Sequence, residues 1–121
     1  VKEFIIVGIG GMIGSMGRYG VSLFFLTSLA ERSYYGTLTV NLIGSFLIGI
    51  TTGYVSKMDD SISLFLTVGV FGGFTTFSTF SLDGIKLLQS ELYRDFLLYS
   101  FLTFFCGLIL CTIGYLIGHR A

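Results

Sequence analysis

An all-α integral membrane protein of four transmembrane helices, the third broken near its middle, is the fold class this sequence predicts. Three observations carry that expectation. Of the 121 residues, 53% are hydrophobic and only 12% charged, and mean hydropathy is +0.87. Four apolar stretches, residues 4–29, 36–55, 62–88 and 96–118, each reach the ~20 residues a membrane helix needs. Inside the third stretch lies the run Gly72-Gly73-Phe74-Thr75-Thr76-Phe77-Ser78-Thr79-Phe80. In hydrocarbon every backbone N–H and C=O must be satisfied, so paired glycines followed by four hydroxyl residues at that depth predict a broken helix lining a wet or ion-filled cavity. Residues 1–121 are read as a single transmembrane domain. The first stretch is too long, and too weakly flanked by basic residues, for a cleaved signal peptide, so it is taken as a permanent helix.

The first helix carries Gly8, Gly10, Gly11, Gly14 and Gly17. Its Gly10-xxx-Gly14 spacing allows close approach between helices in lipid, a device repeated at Gly49/Gly53 and Gly114/Gly118. A dinucleotide fingerprint is excluded here, because Ile13 spoils the glycine spacing and no βαβ unit surrounds it. Arg18 is the one charge well inside this helix. Two roles fit it: tethering neighbouring helix ends through its many donors, or drawing anions to a pore mouth.

In the second helix, Thr37 and Asn41 stand four residues apart and share a face. They serve either an interhelical hydrogen bond or the lining of a pore. In the third, Phe77 and Phe80 share one face, and Thr75, Ser78 and Thr79 cluster on the opposite side. Phenyl rings have a positive edge, so edge-on rings favour an anion without binding it as a full charge would; the plainer reading is an aromatic packing stripe. A break at Gly72-Gly73 frees carbonyls that suit a cation and exposes N–H groups that favour negative charge. Asp83, one turn beyond Phe80, is placed near a vestibule. Glu3, Glu31, Asp59, Asp60, Glu91 and Asp95 fall at helix ends or in connections and are read as solvated. None pairs with a nucleophile or base at catalytic spacing, so no enzyme is expected. In the fourth helix Tyr99, Thr103, Gly107 and Cys111 recur every four residues, either as a polar wall or as a small-residue packing stripe. Cys106 and Cys111 lie on different helix faces, which argues against a disulfide, and His119 stands alone, which argues against a metal cluster.

If four helices alternate, Lys2, Lys57 and Arg120 share one side and Arg32, Lys86 and Arg94 the other. The positive-inside bias is then zero. A chain without preferred orientation can insert both ways and pair with an inverted copy, giving an antiparallel homodimer; a chance balance is the alternative.

These residues identify a resemblance. Arg18-Tyr19 at the end of the glycine-rich helix, Gly36-Thr37-Leu38 followed by Asn41, and the run from Gly72 to Ser81 resemble the bacterial fluoride channel family called Fluc or CrcB, over nearly the whole chain. The resemblance implies an antiparallel dual-topology homodimer in the bacterial plasma (inner) membrane, with two fluoride pathways passively exporting cytoplasmic fluoride. It implies that Phe77 and Phe80 contact fluoride, and that Asn41, with Thr37 one turn earlier, lines the path. Ser78, Thr79 and Thr103 are further pore candidates, with Arg18 and Asp83 at the vestibule; Asp83 stands where relatives can have Glu. Backbone carbonyls of Gly72 and Thr75 from both subunits would hold a central structural sodium ion. The alternative from another class is a small proton-coupled multidrug exporter. That would need an embedded carboxylate in the first helix and tryptophan to cradle a cation, whereas the chain has only the terminal Glu3 there and no tryptophan.

Overall fold

The computed structural model describes residues 1–29 and 32–121; Glu31 lies outside them. Helix α1 spans Lys2–Ser28 and α2 Tyr34–Gly53. The third span has two parts. Helix α3, residues 60–74, is α-helical at Asp60–Leu64, widens to π geometry at Phe65–Phe71 and returns to α at Gly72–Phe74. Helix α4 covers Phe77–Gln89. Helix α5 covers Tyr93–Arg120, with a π-helical turn at Leu102–Cys106. Among the described residues, four helices are long and apolar enough to cross a membrane, taking α3 and α4 as one span.

Glycines decide which helices touch. Along α2 and α5 two glycines on each helix lie against the backbone of the other. A methyl group at Gly49 would overlap the Cys111 carbonyl and one at Gly53 the Tyr115 carbonyl, while Gly114 and Gly118 lie on the carbonyls of Phe46 and Ile50. Backbone therefore packs on backbone, which in lipid replaces the hydrophobic driving force that is missing there. Helices α1 and α3 meet in the same way: a Cβ on Gly10 would come within 2.9 Å of the Gly69 Cα, and one on Gly73 within 2.6 Å of the Gly11 carbonyl oxygen. Helix α2 is central, with 44% of its most apolar window buried against 6–11% in the other spans. Where α2, α4 and α5 converge, Tyr34, Leu38, Leu87 and Tyr99 form a small core against which Phe80 packs.

The break in the third span falls at Thr75-Thr76, three residues beyond the expected Gly72-Gly73. Those two glycines stay helical, and Gly73 serves the contact with α1. Backbone at Thr75 and Thr76 turns extended, with φ/ψ of −89°/156° and −153°/120°. Competition for hydrogen bonds displaces the break. Asn41 and the Thr76 hydroxyl capture groups that a continuous helix would have paired within itself.

Candidate functional site

Asn41 holds the break from α2. Its amide donates to the Thr76 carbonyl at 3.0 Å, and its carbonyl oxygen accepts the Thr76 N–H at 2.7 Å. Thr76 then caps α4: its hydroxyl oxygen accepts the Thr79 N–H at 3.1 Å, the usual service of an N-cap threonine. From α1, the Arg18 Nε–H donates to the Gly73 carbonyl at 3.0 Å. Helical backbone partners are thus replaced by the side chains of Asn41, Thr76 and Arg18. In an uninterrupted helix the Gly72 carbonyl would accept from Thr76 N–H and the Thr75 carbonyl from Thr79 N–H. Both donors are diverted, and among the described residues neither carbonyl receives another hydrogen bond.

A cavity of about 270 Å³ opens beside the break, lined by Asn41, Ser45, Ile48, Thr75, Thr76, Phe77, Phe80 and Thr103. A second, of about 350 Å³, shares Ser45, Phe77, Phe80 and Thr103 and continues along Ser100, Gly107 and Cys111 of α5. The two phenylalanines thus stand in the wall between them. Their rings lie 5.6 Å apart at 49°, and Phe80 meets Tyr99 edge-on at 5.0 Å and 67°. The Thr103 hydroxyl, buried and without a hydrogen-bond partner, borders both cavities. No acidic or basic side chain lines either one. The positive end of the 13-residue α4 starts at Phe77, so the field there favours an anion.

Of the residues singled out from sequence, the structure gathers Asn41, Thr75, Phe77, Phe80 and Thr103 around the first cavity. Ser78 and Thr79 lie at the cap instead, each with its hydroxyl 3.2 Å from that of Thr76. Thr37 is buried on α2 beside the Tyr99 hydroxyl. Asp83 accepts a 3.1 Å hydrogen bond from that hydroxyl. Gly72 contributes backbone only. Sequence reasoning did not assign Thr76, Ser45 or Tyr99 to the site. Thr76 had a readable signal, a hydroxyl three residues before Thr79 in capping register; Ser45, one turn after Asn41 on the same face, had a second.

A broken membrane helix, pinned by an asparagine and an arginine beside cavities of hydroxyls and phenyl rings, defines a multi-pass membrane protein with polar cavities among its helices. Comparison with known proteins makes this specific. The profile of the family described as CrcB-like protein, Camphor Resistance (CrcB), matches residues 5–115, and the chain belongs to that family; with its four apolar spans it is a multi-pass bacterial membrane protein. It is 42% identical over 120 residues to a fluoride-specific ion channel FluC of Thermus thermophilus, covering 98% of this chain and 94% of that one. The FluC of Parabacteroides distasonis is 41% identical, with 99% and 94% covered, and FluC 1 of Listeria innocua 36%, with 96% and 97% covered.

Proposed function

We propose that this chain is a fluoride-selective passive channel that exports cytoplasmic fluoride, working as an antiparallel dual-topology homodimer with two pores. The observation that carries this reading is the pair Phe77 and Phe80, standing between two cavities that have hydroxyl and amide groups but no charge. Fluoride would shed part of its water and take hydrogen bonds from Thr103, Ser45 and the Asn41 amide. Ring edges of Phe77 and Phe80 supply weak positive potential at the constriction. A full positive charge there would trap the ion, and conduction requires that binding permit exit. The narrow passage between the rings would exclude larger halides. Asp83, held by Tyr99, and Arg18, held by Gly73, would shape the field at the ends of the path.

A central sodium ion belongs to this proposal, and the chain's chemistry fits it. Gly72 and Thr75 offer carbonyl oxygens without internal donors, the hard oxygen ligands that such a cation takes. Among the described residues no group of three or more His, Cys, Asp or Glu could hold a metal, so this site would draw on neutral oxygen ligands. Two such carbonyls per chain become four when two chains meet at their breaks. Bound sodium would supply the positive charge that holds those carbonyls together.

The exporter alternative finds no support, since neither cavity holds a carboxylate and Glu3 is exposed at the start of α1. The test is fluoride efflux from proteoliposomes, read by a fluoride electrode with a potassium ionophore present and chloride as control. Fast fluoride efflux without chloride efflux is expected, and it should be lost in Phe77→Ile and Phe80→Ile proteins that remain folded dimers. Unchanged flux in both variants would sink the ring-edge mechanism, and no flux from the parent would sink the channel reading.

A further inference from the structure

A third cavity, of about 150 Å³, lies beside Tyr34 and Asp83, and of its lining only Asp83 has a part in the path described above. Ser33, Tyr34, Asp83, Lys86 and Ser90 bring hydroxyl, carboxylate and ammonium groups to its lining. Its connection to the pore runs through side chains already placed. Tyr34 packs on Tyr99 with ring centroids 5.1 Å apart, Tyr99 packs on Phe80, and Asp83 accepts the Tyr99 hydroxyl. Three packed rings, Tyr34, Tyr99 and Phe80, therefore link this cavity to the first. Asp83 poses a problem at such a place, because a carboxylate repels fluoride. Lys86 follows it by three residues and so shares its face of α4. Among the described residues, no carboxylate lies within ion-pairing distance of the Lys86 ammonium.

We propose that this cavity is the mouth at the far end of the fluoride path, and that Lys86 is the cation that gathers the anion there against the Asp83 carboxylate. The inference rests on the channel reading. A mouth cation acts through the field, raising the local concentration of an anion, so its effect is strong at low salt and screened at high salt. Lys86 also sits in the last turn of α4, where a cation complements the helix dipole. That structural role alone would alter stability and leave the salt dependence of the current unchanged.

Single-channel fluoride current in planar bilayers separates the two roles when read at ionic strengths of about 10 mM and about 300 mM. Lys86→Gln should carry about two- to threefold less current than the parent at low salt, and Lys86→Glu about fivefold less, with both gaps closing at high salt. Lys86→Arg should match the parent, and Arg94→Gln, which removes a cation outside the cavity lining, should change little. Parent-like currents in Lys86→Gln at low salt would overturn the assignment, as would an equal loss in Arg94→Gln, which would indicate a diffuse surface potential. If the parent itself carries no fluoride, the channel reading fails and this inference with it; if the parent conducts and the Lys86 series is flat, only the mouth assignment fails.

Discussion

Asn41 commits both ends of its amide to the backbone of one residue, Thr76, across a helix interface. An alanine there would leave a donor and an acceptor unpaired at a half-buried site, at a cost of about 2 kcal/mol in total. Asn41→Ala should therefore lower the melting temperature in detergent and also abolish fluoride flux, since the cap, the cavity and the amide donor are lost together. A variant that melts like the parent would show that the break holds without Asn41. Sequence alone left Asn41 between a packing bond and a lining role; in the structure it makes the bond and lines the cavity. Arg18, equally open from sequence, has its guanidinium on the Gly73 carbonyl. Such assignments were not legible because they depend on which backbone groups of the third span lie opposite, a matter of helix register.

At the scale of elements, the turn from α4 into α5 carries a strained residue. Leu92 N–H donates to the Leu87 carbonyl at 2.9 Å and Glu91 N–H to the Leu88 carbonyl at 3.0 Å, which together form a Schellman closure. Its left-handed position, φ 60°, is held by Glu91, where glycine is usual. Glu91→Gly should stabilise the protein by about 1 kcal/mol, seen as a raised melting temperature with unchanged flux. Gly114 behaves oppositely. Its missing Cβ makes room for the Phe46 carbonyl, so Gly114→Val must push α5 off α2 and should yield aggregated protein on size exclusion. Glycine spacing announced these contact faces, whereas the pairing of Gly49 and Gly53 with α5 required the three-dimensional arrangement. The displaced break has a similar lesson. Glycines mark where a helix can break, but Asn41 and Thr76, which win the hydrogen bonds, decide where it does.

In the whole molecule, most apolar side chains of α1, α4 and α5 face outward from the single chain, and Phe77 itself is 77% exposed. Lipid or a second chain must cover them. The proposed inverted pairing makes a direct prediction: in intact cells, a membrane-impermeant maleimide should label Lys57→Cys on about half of the molecules, with Cys106 and Cys111 replaced by serine, because the positive-inside bias is zero. Complete labelling or none would rule out dual topology. The sodium proposal is tested by dialysis against a large organic cation, which should reduce fluoride flux and be reversed by returning sodium. Flux that persists without sodium would remove the ion from the mechanism.

Hydropathy and composition by themselves determined that this chain is helical and crosses the membrane four times, since backbone in hydrocarbon has few other ways to satisfy its hydrogen bonds. The motif in the third span also carried the resemblance to its family, which the match over residues 5–115 bears out. Only the tertiary structure decided where the third helix breaks, that Ser78 and Thr79 serve the cap region, and that Tyr99 joins Phe80 to Asp83. Those outcomes depend on competition among hydrogen-bond partners on different helices, and that competition is settled by distances that exist only once the helices have packed.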